Sequence, residues 1–355
     1  MEKNELLNWL RETDEQKLEK LWAEADAIRR ANVGDEVHFR GLIEISNFCV
    51  RRCAYCGISA ENTALTRYRM TDDEILECAR AAADFGYGTV VVQAGEDPAF
   101  DCAAVERIVR RIRAEVGLAI TLSLGERTEN ELRAWKEAGA DRYLLRFETS
   151  NRRLFDAIHP AHGERRDRME ILGMLRRLGY EVGSGIMIGI PGQTWDDLAS
   201  DILKFRELDL DMIGVGPYLP HPSTPLAALE AELRAPEDEQ VPNSEMMTYK
   251  TVALTRIACP HANIPSTTAL ATVNKGMGRE LGLMRGANII MPNLTPPKYR
   301  VLYEIYPGKA CIYETAEQCA GCIRRRVLSI GRGIGAGKGE SPNWKLRKNP
   351  KPNDE

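Results

Sequence analysis

From residue 40 onward one unit recurs along the chain: a short apolar strand, a loop, then a helical stretch that often closes on glycine. The strand candidates are 41–45, 89–93, 118–124, 142–148, 181–188, 212–216, 263–269 and 288–291. Strands that alternate with helices predict a parallel sheet. Eight is the number that closes a (β/α)8 barrel, with an open doubly wound sheet as the other architecture of this pattern. The helices carry their own punctuation. Thr71-Asp72-Asp73-Glu74 and Thr128-Glu129-Asn130-Glu131 read as capping boxes, in which threonine and acid satisfy free backbone donors reciprocally. Gly86, Gly139, Gly179 and Gly286 stand where a helix C-terminus needs a left-handed residue.

A barrel gathers its chemistry at the C-terminal ends of its strands. The loop after the first strand holds Cys49, Cys53 and Cys56, at spacing C-x3-C-x2-C. Three thiolates can hold three irons of a 4Fe-4S cubane, leaving the fourth iron open to a small molecule. A structural zinc takes four ligands. The next cysteine, Cys78, falls inside a predicted helix.

The other strand ends carry polar groups. They are Gln93-Ala94-Gly95-Glu96-Asp97, Ser123-Leu124-Gly125-Glu126 and Arg146-Phe147-Glu148. Period-two alternation puts Arg146 and Glu148 on one face, where they are either an internal salt bridge or part of a site. The fifth strand runs into Gly189-Ile190-Pro191-Gly192-Gln193-Thr194, a turn that ends in the threonine cap of the next helix. His221 lies in a proline-rich loop at the same end, and residues 228–245 read as an acidic surface insertion.

A net charge of −4 argues against a general nucleic-acid footprint. No apolar run approaches the ~18 residues of a membrane span. The first residues lack the basic and apolar blocks of a secretory signal. Nine cysteines in clustered spacings indicate metal rather than disulfides, hence a reducing, cytoplasmic setting.

The expected organisation has four parts. Residues 1–35 form amphipathic helices outside the main domain, and 36–296 form the barrel. Residues 297–330 make a C-terminal extension in which Cys311, Cys319 and Cys322 suit a second iron–sulfur cluster or a zinc. Residues 331–355, rich in Gly, Lys, Asn and Pro, read as a flexible tail.

The C-x3-C-x-Tyr-C run, with Tyr55 as its aromatic, resembles the signature of the radical S-adenosylmethionine (SAM) enzymes. A closer likeness covers about residues 20–330. It rests on Tyr68–Thr71, Gln93–Pro98, Thr121–Glu126, Asp141–Arg146, Pro217–Thr224, Asn288–Asn293 and Tyr303–Lys309. These stretches are similar to the HydE family of FeFe-hydrogenase maturases. The resemblance implies a complete (β/α)8 barrel and a 4Fe-4S cluster on Cys49, Cys53 and Cys56. It implies SAM held at its methionine end by Glu148 and Arg168, with Tyr55, Gly95, Glu96, Ser123, Arg146 and Met187 around it.

It further implies a second, dispensable 2Fe-2S or 4Fe-4S cluster on Cys311, Cys319 and Cys322. A substrate cavity would be lined by Gln93, Thr121, Arg142, Met212, Thr268, Met291, Tyr303 and Tyr306. The implied activity is reductive cleavage of SAM to a 5′-deoxyadenosyl radical during assembly of the hydrogenase di-iron subcluster. The substrate would be a sulfur-bound iron carbonyl-cyanide precursor, and the partners a ferredoxin or flavodoxin and the other maturases. Phe147 stands where some members carry histidine. Methylornithine synthase-like and biotin synthase-like enzymes are the neighbouring alternatives, and a non-catalytic iron–sulfur scaffold is the alternative from another class.

Overall fold

The computed structural model describes residues 1–163 and 166–349. Its strands are β1 (Glu36–Ser46), β2 (Thr89–Ala94), β3 (Ala119–Ser123), β4 (Arg142–Leu144), β5 (Glu181–Ile188), β6 (Met212–Pro217), β7 (Ile289–Ile290) and β8 (Gly333–Ile334). Seven follow the order β6-β5-β4-β3-β2-β1-β7, and β8 pairs with β1 off that path. Every named pairing is parallel, so each connection must cross over, and helices such as Asp72–Asp84, Cys102–Glu115 and Trp195–Glu207 do so. The result is a curled α/β sheet of the TIM-barrel kind.

Period two sorts the strand residues into two environments. In β1, Ile43 and Ile45 pack into the apolar core beneath the helices, while Leu42 and Glu44 face an interior cavity. Both expected capping boxes form, on Thr71 with Glu74 and on Thr128 with Glu131. Gly86, Gly139, Gly179 and Gly286 all have positive φ. The N-terminal helices Lys3–Arg11 and Glu15–Val33 bury Leu6, Leu10, Leu18, Leu21, Trp22 and Ala25. Lys250 Nζ ties the first of them down by donating to the Leu10 carbonyl at 2.9 Å.

The strand expected at 263–269 does not form as such. Pro265 has no N–H to give to a ladder, and a helix, Thr268–Val273, begins at once. Residues 263–266 nevertheless bond on both sides: Ile213 N–H donates to the Asn263 carbonyl and Ser266 N–H to the Ile289 carbonyl, each at 2.9 Å. The fourth strand is also shorter than expected. It ends at Leu144, and beyond it Glu148 meets Ile186 through a single bridge.

The tail is the largest departure from expectation. Residues 331–349 are ordered along the end of the sheet where the strands begin, and 350–355 lie outside the described residues. β8 pairs with the start of β1. The Lys338 carbonyl accepts from Thr89 Oγ1 and from Arg142 Nη2, both at 2.9 Å. The Gly339 carbonyl accepts from Arg40 Nη2 and Asn263 Nδ2, both at 3.0 Å, and Ser341 N–H donates to Glu181 at 2.9 Å. A Cβ on Gly88 would stand 1.7 Å from the Gly337 carbonyl oxygen, so the two backbones touch. A segment with few core-forming side chains is held here by its main chain together with the polar side chains of Arg332, Asn343 and Arg347, which bond to Asp35, Asp209 and Asp211. The expected C-terminal extension is likewise no separate unit, since its Tyr303 and Lys309 reach the interior.

Candidate functional site at the strand C-termini

A cavity of about 350 Å³ runs inside the curled sheet. Its mouth is the loop that follows β1. Arg67 organises that loop by donating to the carbonyls of Ile58, Ser59 and Asn62 at 2.7–3.1 Å, and also to that of Asn47. Asn47 in turn donates to the Thr66 and Leu302 carbonyls and accepts from Tyr68 N–H. The end of β2 fixes the other side: Gly95 N–H bonds the Ser46 carbonyl, and Val50 N–H the Glu96 carbonyl, both at 3.0 Å.

All three thiols of this loop line the cavity. Cys49 Sγ accepts from the N–H groups of Arg51 and Glu96 at 3.4 Å. Burial raises the pKa of each thiol, that of Cys53 to about 12, and Cys49 and Cys53 raise that of Cys56 further. The three share one loop and one cavity wall. Such a set of adjacent, shielded sulfurs is the donor chemistry of an iron–sulfur cluster. Nearby Arg67 and Arg168 favour the thiolate forms. Gly95 is required by this packing, because a Cβ would stand 2.1 Å from the Phe48 carbonyl oxygen and 2.9 Å from Cys49 Cβ. Gly95→Ala is expected to cost about 1–3 kcal/mol through overpacking. The displaced cysteine loop should lower iron content after reconstitution while helical circular dichroism persists. Normal iron incorporation would contradict this.

Around the thiols runs a chain of charges. Arg51 donates to Glu96 at 2.8 Å and lies 3.1 Å from Glu126. Arg168 donates to Glu126 at 3.0 Å and to the Arg146 carbonyl at 2.6 Å. Glu148 Oε2 sits 3.1 Å from Arg146 Nη2 but outside hydrogen-bond geometry, so this buried oxygen has no hydrogen-bond partner, and neither has Arg146 Nε. The other Glu148 oxygen accepts from Tyr55 at 3.3 Å, and Tyr55 Oη is 3.0 Å from His159 Nε2. Glu148 holds φ +62°, a conformation that non-glycine residues adopt only where the surroundings impose it.

Deeper in, Gln93 donates to Tyr303 Oη at 3.3 Å, Thr121 Oγ1 is buried without a partner, and Lys309 pairs with Glu44. The cavity lining also includes Met187, Ser123, Met212, Thr268, Met291 and Tyr306.

Of the residues expected around the first cluster, SAM and the substrate, the structure brings all but one to the cavity. Arg142 does not line the cavity. It is fully buried at the start of β4, and its guanidinium is used by Glu181 at 2.5 Å, by Thr89 at 3.0 Å and by the Lys338 carbonyl. Arg40, whose Nη1 reaches Met212 Sδ at 2.7 Å, faces the cavity floor instead. Phe147 is buried against Phe205, 5.5 Å between ring centroids, and does not line the cavity. His221 is buried, its Nδ1 accepting from Ser223 N–H at 3.2 Å.

Glu126 and Arg51 were missed as site residues. The first was signalled by its place after the third strand, the second by sitting inside the cysteine motif.

The second trio lies apart from this cavity. Cys319 and Cys322 share the helix Ala316–Ser329, Cys319 buried and Cys322 exposed. The Cys311 thiol is lowered to about 6 by hydrogen bonding with Cys319 and by Arg279. Among the described residues no three His, Cys, Asp or Glu side chains are arranged to hold a single metal ion.

Residues 43–205 match the model of the radical SAM superfamily. The chain is 48% identical to the [FeFe] hydrogenase maturase subunit HydE of Thermotoga maritima, over 88% of this chain and 86% of that protein. It is 28% identical to the 3-methylornithine synthase of Methanosarcina acetivorans, over 78% and 75% of the two chains. Among solved structures, methylornithine synthase superposes with a TM-score of 0.80, covering 94% of both chains at 24% identity.

Proposed function

The chain belongs to the HydE maturases of the radical SAM superfamily, and from that premise we propose how its cavity serves the maturation of FeFe-hydrogenase. It is a radical SAM enzyme. In our reading, Cys49, Cys53 and Cys56 hold three irons of a 4Fe-4S cluster at the cavity mouth. Bound there, the cluster supplies SAM with the electron that splits it into methionine and a 5′-deoxyadenosyl radical. The observation that carries this is that three half-buried thiols line one cavity with Glu148, whose Oε2 pairs with Arg146 but accepts no hydrogen bond.

Glu148 accepts hydrogen bonds from the amino group of SAM, and Arg168 donates to its carboxylate. Both bonds are charge-assisted and so stronger than neutral ones. Tyr55, Gly95, Glu96, Ser123, Arg146 and Met187 form the surrounding wall. Glu126 holds Arg168 in place, so that the cation is aimed before the ligand arrives. Bonds on both sides of residues 263–266 support reading the curled sheet as a complete barrel that excludes bulk water from the radical.

The substrate, a sulfur-bound iron carbonyl-cyanide complex, lies deeper, against Gln93, Thr121, Met212, Thr268, Met291, Tyr303 and Tyr306. Gln93 and the buried Thr121 hydroxyl offer it hydrogen bonds. A ferredoxin or flavodoxin reduces the enzyme in the cytoplasm, and the other maturases deliver the precursor and take the product. Among the described residues no helix is long and apolar enough to cross a membrane. The test is 5′-deoxyadenosine release by reconstituted, reduced protein, together with activation of apo-hydrogenase in a maturation mixture lacking its own HydE. SAM cleavage without activation would leave the enzyme class and remove the substrate assignment.

A second cluster on Cys311, Cys319 and Cys322 is part of the proposal, with no direct part in the chemistry. Reacting groups must come within ~3–3.5 Å of one another, and these cysteines do not line the cavity. Changing all three to serine is expected to lower iron content while SAM cleavage and hydrogenase activation continue. Loss of activation with the first cluster intact would give the second one a direct role.

A further inference from the structure

Behind the cavity wall, Asp201 is completely buried on the helix Trp195–Glu207. Among the described residues no cation forms an ion pair with it. A carboxylate buried without a counter-charge is costly unless donors surround it, and here they do. Oδ1 accepts from the backbone N–H of Ser150 and, at 2.6 Å, from the Ser150 hydroxyl, with the Thr149 hydroxyl at 3.4 Å. Oδ2 accepts from Gln193 Nε2 at 3.2 Å. Gln193 is equally buried; it donates to the Met187 carbonyl at 3.1 Å and accepts from Gly189 N–H at 2.7 Å. One carboxylate thus ties the loop after β4 to the end of β5 and the turn that follows it; Glu148 from that loop and Met187 from β5 line the cavity.

The β4 loop has a reason to need such a grip. Thr149 N–H bonds the Phe147 carbonyl at 2.8 Å across Glu148, whose φ is +62°. A three-residue turn of this hand is strained and rare. It persists only where neighbouring contacts impose it. On the upstream side Glu148 N–H is held by the Gly185 carbonyl at 3.0 Å. On the downstream side the next two residues are the ones Asp201 holds.

We propose that Asp201 is a positioning residue for SAM binding, locking the strained turn that aims the Glu148 carboxylate into the cavity. This rests on the reading that Glu148 binds SAM. Burial and the neighbouring Asp197 push the Asp201 carboxyl up to about 7, the mark of a group kept in an unfavourable place. Asparagine has the same shape but not the same acceptors. With its oxygen turned to Ser150, its amide N–H groups would confront the donor end of Gln193.

The test is the dissociation constant of SAM measured on cluster-loaded protein for Asp201→Asn, Glu148→Gln and the double variant. Releasing strain of this kind should weaken SAM binding by about ten- to a hundredfold in Asp201→Asn. KM for SAM should rise while the saturated turnover stays near that of the parent. In the Glu148→Gln background the same change should add nothing, because the carboxylate it aims is gone. A residue that merely stabilises the fold would add its effect in both backgrounds, and additive losses would overturn the proposal, as would unchanged affinity in Asp201→Asn. Unchanged affinity in Glu148→Gln would instead overturn the reading beneath it. Should Asp201→Asn fail to fold, Ser150→Ala removes a single donor to the same carboxylate. It is expected to give a severalfold loss that also vanishes in the Glu148→Gln background, and persistence of that loss there overturns the proposal.

Discussion

Cys53→Ala is expected to abolish SAM cleavage and strip most of the iron from the mouth of the cavity, and Cys49→Ala and Cys56→Ala are expected to do the same. Three protein sulfurs are the least that can hold a cubane with one open iron, and among the described residues no fourth cysteine lines the cavity. Cys78 packs into the core from the helix Asp72–Asp84. Cys311, Cys319 and Cys322 do not line the cavity. The loop should survive the change, because Arg67, Asn47 and Gly95 fix it through backbone bonds independent of the thiols. Iron content, the absorbance of the reconstituted protein and 5′-deoxyadenosine yield measure the effect. A variant that keeps both iron and cleavage would end the assignment.

The second large effect concerns stability. Arg142→Met leaves Glu181 buried, its nearest remaining cation, Arg40, 4.0 Å away. Arg40 is itself a costly partner, its pKa lowered to about 9 chiefly by burial, a cost that the variant leaves in place. Breaking a buried pair by removing one member typically costs about 3–5 kcal/mol. The midpoint of chemical denaturation should fall accordingly. Adding Glu181→Leu should recover much of the loss, since a buried pair replaced by apolar groups is often neutral. If Arg142 touched substrate instead, Arg142→Met would lose activity at unchanged stability.

That contrast shows where the sequence is legible. Alternation along β4 assigns Arg142 to the inner face, but it carries no information about depth. A residue at the start of a strand faces the floor, whereas Glu148, past its end, faces the mouth. The strands themselves could be read because buried parallel strands are short apolar runs, and 89–93 differs from β2 by one residue. The cysteine spacing and the polar strand ends were readable for a related reason: the fold sends those loops to one place.

Three features escaped. The stretch 263–269 is apolar enough for a strand, yet Pro265 and the Thr267 cap end it early. The bond from Arg168 to Glu126 is set by distances between loops and has no local pattern to announce it. The tail reads as unstructured because a composition poor in apolar residues does not reveal a segment bound through its backbone and through scattered polar side chains such as Arg332 and Arg347.

The position of that tail has a consequence for how the chain is made. β1 is synthesised first among the strands, yet its pairings include β7 and β8, and Arg40 waits for the Gly339 carbonyl. Until residues 333–341 have left the ribosome, the start of β1 lacks these partners and the charges of Arg40, Arg142 and Glu181 stay open to water. Closure across such sequence separation is slow. Until that segment emerges, the growing chain holds an unfinished sheet edge, the kind of surface on which nascent chains aggregate.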